Sequence, residues 1–201
     1  RGPLICTGTM TAGMRIDPAG YPFILGAAVV AAIVLFTSYR AWAAVPLVLL
    51  GFFLFFFRDP ERSALLGPDD VVSPADGRVM VAGEPEPGVP PPGCWRQISI
   101  FLSPLDVHVN RIPVSGTVTK VEYHPGRFLP AYRAEAARDN ERNEVWIDRG
   151  GQQVVTRQVV GILARRIVCR VTSGATVRAG QGFGVMKFGS RVGLYLPPGT
   201  T

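Results

Sequence analysis

Two apolar runs at residues 22–37 (PFILGAAVVAAIVLFT) and 41–57 (AWAAVPLVLLGFFLFFF) limit what this chain can become. Neither carries a charge, and Ser38-Tyr39-Arg40 divides them. As helices at 1.5 Å per residue each spans about 25 Å, a little less than a bilayer core of about 30 Å. The pattern predicts a helical hairpin that either spans the bilayer or dips into one leaflet. A buried core hairpin of a soluble protein is the competing reading. It is disfavoured because FFLFFF has no polar face. Tyr21, Tyr39 and Trp42 stand where interfacial aromatics belong. Both ends of a hairpin lie on one side of the membrane. Arg15, Arg58 and Arg62 then place the rest of the chain on the cytoplasmic side of the cell membrane.

The remainder reads differently. Hydrophobic residues make up 47% of the 201 and charged residues 18%, but the apolar excess sits in the hairpin. The net charge of +6 is explained by basic flanks beside a membrane. No Lys/Arg run is interleaved with aromatics, so nucleic acid is not an expected partner. Residues 1–13 lack periodicity and are expected to be a disordered extension, with Met14 reading as a start. Residues 14–60 form the hairpin and 61–201 a second domain. From Val71 onward the pattern is β, with strand-like runs at 77–82, 96–102, 116–123, 144–147, 152–160, 166–171 and 191–196. Pro/Gly turns such as EPEPGVPPPG (84–93) separate them. The polar, Ala-rich stretch 128–143 holds one helical turn or a loop. The expected fold is mainly β, two packed sheets in a sandwich or a distorted barrel, behind an N-terminal apolar helical hairpin.

The chemistry is narrowed by scarcity. Cys6, Cys94 and Cys169 are odd in number and widely spaced, which speaks against a disulfide framework or a zinc site. Cys169, in a strand-like run, reads as a buried structural thiol. The two histidines, His108 and His124, are too few for a His-rich metal centre; no metal is expected. Alone, His108 would be an ordinary structural residue, Asp76 an Asx-turn opening a strand, and Gly189-Ser190 a tight turn. His124 reads as part of a turn after a strand.

Together these segments are specific. PADGRV (74–79), then FLSPLDVHVNRIPVSG (101–116), then KFGSRVGLYLP (187–197), in this order behind an apolar hairpin, resemble the phosphatidylserine decarboxylase family, in its short form with an FGS motif. VEYHPGRFLPAY, DNERN and LARRIVCRV look like that family's connecting segments. The resemblance implies a proenzyme that cuts itself between Gly189 and Ser190. Ser190 would be the nucleophile and the precursor of a pyruvoyl cofactor. Asp76 and His108 would activate it, His108 taking the hydroxyl proton and Asp76 orienting the imidazole. The pyruvoyl group would condense with the amine of phosphatidylserine and accept the electrons left when CO2 departs, giving phosphatidylethanolamine.

The implied partners are the phospholipid, the membrane, and the cleaved large chain (to Gly189) and small chain (from Ser190) as a heterodimer, with a homodimer of these suggested by the family likeness. Arg111 stands where some members carry a second histidine, and a contact to a lipid phosphate is one role for it. The stretch after Ser190 is short for this family's small chain. The loop Phe128–Tyr132 either faces the membrane and gates the site or is an ordinary surface loop.

The alternative is a membrane-anchored biotinyl- or lipoyl-like binding module, suggested by DGRV and SGATVRAGQ (173–181). Such a carrier needs a modifiable lysine on a hairpin tip, and neither Lys120 nor Lys187 is expected in one.

Overall fold

The computed structural model describes residues 14–62, 67, 69–93, 95–162, 166–187 and 189–200. The chain divides into two compact units between Ala64 and Leu65. The predicted extension at residues 1–13 lies outside the described residues, as do Cys6 and Cys94.

The first unit is the apolar hairpin. Strand β1 (Met14–Ile16) pairs antiparallel with β2 (Arg58–Pro60), which closes its base. Between them run helices α1 (Tyr21–Leu35) and α2 (Ala44–Phe56). Asp17 caps the entry, accepting a hydrogen bond from the Ala19 N–H at 2.9 Å. Phe23 holds the helices together through Phe53 and Phe57, with ring centroids at 5.5 and 5.6 Å. Leu25, Val29, Ile33, Phe36, Trp42 and Val48 all stay exposed. The helix pair presents apolar side chains outward around most of its surface. Among the described residues one helical stretch, Pro18–Leu35, is long and apolar enough to cross a membrane; the other, Arg40–Phe56, is shorter. Asp59 and Pro60, just past the end of α2, belong to β2, where their backbone pairs with β1.

The second unit is mainly β. A seven-stranded sheet has the order β10-β6-β7-β8-β12-β4-β3, and a three-stranded sheet the order β5-β11-β9. The members are β3 (Arg78–Gly83), β4 (Arg96–Leu102), β5 (Val109–Arg111), β6 (Gly116–His124), β7 (Arg142–Arg149), β8 (Gln152–Val160), β9 (Ile167–Cys169), β10 (Thr176–Val177), β11 (Gly182–Met186) and β12 (Ser190–Leu196). Every strand pair within the second unit is antiparallel, and no barrel closes. The stretch at 128–143 holds one short helix, α3 (Ala136–Asp139).

Alternation along the strands assigns the two faces of the large sheet. Val118, Val145, Ile147, Val154, Leu194 and Leu196 share one face and pack with Phe183 of the small sheet. Ile100, Leu102 and Val192 continue that face and pack with Met186 and Ala75. These clusters form the layer between the sheets, and we call this the inner face. The outer face buries Val155 and Tyr195 beneath Val89 and Ala137. Cys169 is half-buried rather than buried, because β9 lies at the edge of the small sheet; its Sγ lies 3.6 Å from the Val171 carbonyl.

The outer face also carries charge. Arg157 pairs with Glu144 at 2.7 Å and stacks over the Tyr195 ring at 4.9 Å; both charged residues are almost fully buried. Arg191 pairs with Glu86 and donates to the Ser99 hydroxyl. Burial pushes the Tyr195 phenol up to about 12, against a partial lowering by Arg157 and Arg191. The unfolded chain loses this proton near pH 10 and the folded chain near 12. Stability from this group is therefore complete below pH 10 and is lost as pH rises from 10 to 12, by roughly 2–3 kcal/mol. Tyrosinate absorbance should show a tyrosine ionising near pH 12, and Tyr195→Phe should delete that step; an unchanged step near 12 would sink the assignment.

Candidate active site

Ser190 opens β12, a strand held centrally between β4 and β8, where it faces Leu102 on one side and Val160 on the other. Its side chain projects from the inner face, is fully buried, and its Oγ makes no hydrogen bond among the described residues. A buried hydroxyl without a partner forfeits about 1–3 kcal/mol, a cost that is retained where chemistry needs the group free. Gly189, just before it, has φ +74° and open space where a side chain would be. Only glycine takes that backbone without strain.

His108 comes from the segment leading into β5. It is fully buried. Its Nδ1 lies 2.9 Å from the Asp106 carbonyl, which can only accept, so Nδ1 carries the proton. Its Nε2 then holds a lone pair, and it accepts the Gly189 N–H at 3.3 Å. The two contacts demand the same tautomer. The segment is itself pinned, since Ser103 N–H donates to the Asp106 carboxylate at 2.7 Å. A histidine distant in sequence is thus aimed at the peptide next to Ser190.

Asp76 reaches the same end of the sheet by another route. It stands two residues before β3, whose Arg78 is in register with Phe101, the neighbour of Leu102 that faces Ser190. Gly77 allows this, because a Cβ there would lie 2.2 Å from the Phe101 carbonyl oxygen. The Arg111 N–H donates to the Pro74 carbonyl at 2.8 Å, which ties the Asp76 turn to the His108 strand. The carboxylate is half-buried. Arg111 lies close in sequence, but one of its guanidinium nitrogens donates to the Gly180 carbonyl at 3.1 Å, a structural contact between segments.

Other residues complete the site: Gly161 and Gln158 were not singled out by sequence reasoning, and Asn140 was marked only as part of the DNERN segment, with no role assigned. Gly161 follows β8, and a Cβ on it would stand 2.3 Å from the Gly189 carbonyl oxygen. Asn140, fully buried, donates to the Val160 and Leu129 carbonyls at 2.8 Å and accepts from the Leu129 N–H at 2.9 Å. It clamps the 127–131 loop to the strand end facing Ser190. On the inner face a chain of amides leads away from Ser190: Asn143 donates to Gln158 at 3.2 Å, and Gln158 to Asn110 at 2.8 Å. The signal for Gln158 was present, because it shares a face with Val154 and Val160, where a polar residue is out of place.

His124 ends β6 rather than sitting in a turn. It forms a cluster with Glu122 and Glu144. Arg157, Arg142 and Lys120 already neutralise those carboxylates, so this is an ion-pair network. The carrier reading finds no support: Lys120 lies within β6, and Lys187 lies between strands of different sheets.

A sequence profile of phosphatidylserine decarboxylase matches residues 49–201. The chain is 46% identical over 191 residues to a phosphatidylserine decarboxylase proenzyme of Granulibacter bethesdensis, covering 90% of this chain and 76% of the relative. It is 43% identical over 183 residues to one from Magnetococcus marinus, covering 89% and 83%. It is 44% identical over 190 residues to one from Saccharopolyspora erythraea, covering 90% and 78%. This chain belongs to the phosphatidylserine decarboxylase family. Its enzymatic class is accordingly that of a carboxy-lyase made as a proenzyme.

Proposed function

We propose that this chain cuts itself between Gly189 and Ser190, converts Ser190 to a pyruvoyl group, and then decarboxylates phosphatidylserine to phosphatidylethanolamine. The observation that carries the reading is the lone pair of His108 Nε2 facing the Gly189 peptide beside an orphaned, buried Ser190 Oγ. In the first reaction His108 Nε2 releases the Gly189 N–H and takes the Oγ proton. Oγ bonds to the Gly189 carbonyl carbon, the Gly189 C–N bond breaks, and the freed nitrogen takes up a proton. Elimination then gives the Ser190 Cα proton to a base, breaks the Cβ–Oγ bond and releases Gly189 as a carboxylate, leaving dehydroalanine. Its Cβ takes up a proton as the enamine becomes an imine, and water adds to the imine carbon and expels the nitrogen as ammonia. Asp76, at the neighbouring strand end, steadies the imidazolium.

The fit of residue 190 to a pyruvoyl group rests on its strand: it is locked between β4 and β8, and apolar Leu102, Val160 and Val192 surround it on the inner face. A pyruvoyl group supplies a carbonyl that condenses with the substrate amine and takes up the electrons released with CO2. His108 Nε2 is the group placed to return a proton there.

The hairpin anchors the enzyme in the cell membrane. Arg15 and Arg58 at its closed base, with Arg62 just beyond, support a cytoplasmic position for the second unit. After cleavage β12 belongs to the small chain and its neighbours to the large chain, so the two remain together as a heterodimer. Arg111 serves mainly to join segments; Arg111→Lys should leave the KM for phosphatidylserine unchanged.

Mass spectrometry of the purified protein tests the whole reading. It should find two chains, the smaller beginning with a pyruvoyl group, and turnover of phosphatidylserine. His108→Asn should slow cleavage by roughly 10²–10⁴-fold, the usual contribution of a positioned base. A single intact chain in an active wild-type preparation would overturn the proposal.

A further inference from the structure

The exposed large apolar side chains of the second unit are unevenly placed. The end of the large sheet that holds Ser190 is formed by the start of β3, β7 and β12 and the finish of β4, β6 and β8. From this end project Leu105 (68% exposed), Tyr132 (59%), Ile162 (53%) and Phe128 (39%). Leu105 is at the tip of the turn after β4, and Ile162 stands next to Gly161, against which Gly189 rests. Tyr132 packs edge-on against Phe101 with centroids at 6.1 Å, and Asn140 fixes the loop that carries Phe128. The remaining exposed large apolars among the described residues of the unit, Val79, Met80 and Tyr123, lie within three residues of the same end. At the opposite end, where β7 turns into β8 through Gly150-Gly151, the described residues present none.

Scattered single exposed apolars are ordinary, whereas their collection on one end marks a contact surface. The charge at this end decides its occupant. Arg78, Arg127 and Arg133 are exposed there, and Arg138 is exposed but paired with Asp139 at 2.7 Å; among the described carboxylates of these segments Glu135 is exposed, while Asp76, Asp106 and Glu141 are half-buried. Apolar tips among arginines match an anionic lipid surface, where the tips enter the headgroup layer and the guanidinium groups meet phosphate and carboxylate.

We propose that this end of the second unit docks directly on an anionic bilayer through Leu105, Phe128, Tyr132 and Ile162, so that residue 190 receives headgroups from the surface it touches. The docking rests on the decarboxylase reading for its purpose but not for its geometry. It makes the hairpin a tether and the loop tips the part that meets the substrate.

The test uses the full chain in vesicles of phosphatidylcholine with and without phosphatidylserine. Nitroxide labels go on single cysteines at Leu105, Ile162 and Gly150, in a background whose own cysteines are serine. In phosphatidylserine vesicles the labels at 105 and 162 should become accessible to oxygen and shielded from an aqueous nickel chelate, while that at 150 stays in water. Labels at 105 and 162 that remain as accessible to nickel as 150 would overturn the proposal. So would shielding that persists in detergent alongside the mass of a second copy, since the face would then be a protein interface. The double variant Leu105→Asp/Ile162→Asp should turn over vesicle phosphatidylserine at least about tenfold more slowly, because two buried apolar contacts are lost. Its self-cleavage and its turnover of a dispersed short-chain phosphatidylserine should match wild type. If wild type fails on the dispersed lipid, the decarboxylase reading falls while the label accessibilities still report docking.

Discussion

Ser190→Ala is expected to leave the chain in one piece and without decarboxylase activity, while folding at least as well as wild type. The loss follows from removing the hydroxyl that the proposed acyl shift uses as nucleophile. The intact fold follows from the same structure. Ser190 Oγ is buried and makes no hydrogen bond, so replacing it with a methyl group leaves no donor or acceptor stranded. Its strand keeps both ladders, to β4 and to β8. A denaturing gel reads the first outcome: two chains for wild type, one for the variant. Thermal unfolding reads the second, with a midpoint equal to or above that of the uncleaved wild-type precursor. Cleavage at this peptide bond in the alanine variant would end the assignment of Ser190 as nucleophile.

Gly161→Ala is expected to block the same cleavage from a position that takes no part in the chemistry. A Cβ at 161 would stand 2.3 Å from the Gly189 carbonyl oxygen, about 1 Å inside contact distance. The oxygen must move, and its carbon with it, away from the approach of Ser190 Oγ. A displacement of that size costs roughly a hundredfold in rate when the reacting atoms must meet in one geometry. Hydroxylamine, which cuts the ester formed by the acyl shift, should release little fragment from this variant, because the ester does not form. The new Cβ would also lie 3.4 Å from the Ala131 side chain. Adding Ala131→Gly gives the 161 side room to relax and should restore part of the cleavage. Near wild-type processing in the single variant would show that the Gly189 carbonyl need not stay where it is.

Much of the architecture was legible before any coordinates. The apolar hairpin announced itself because its two helices are apolar on every side. The runs 96–102 and 152–160 coincide with β4 and β8, since a strand buried on one or both faces concentrates β-branched residues between turns. The small sheet was harder to see. Its strands Val109–Arg111 and Ile167–Cys169 have three residues each, too few for alternation to register, and they exist because Gly182–Met186 lies between them. The segment 128–143 shows no regular pattern, since its order comes from one buried amide, Asn140, reaching across to Leu129 and Val160.

For the site, the ordered motifs singled out Ser190, His108 and Asp76, and Gly189 was marked by its lack of a side chain. The motifs are local, and each is tied to a turn or a strand end that its own residues specify. The contacts among them belong to the tertiary structure. That the Asp106 carbonyl holds the His108 proton on Nδ1 was invisible, because a backbone oxygen leaves no trace in residue identity. That Gly161 shelters the Gly189 carbonyl was invisible too, because β12 and β8 meet only once the sheet is assembled. By itself the sequence determined a hairpin of apolar helices, a mainly β second unit and the residue types that its family uses for chemistry. Only the fold decided which atoms of those residues face one another, because that depends on strand register between segments far apart along the chain.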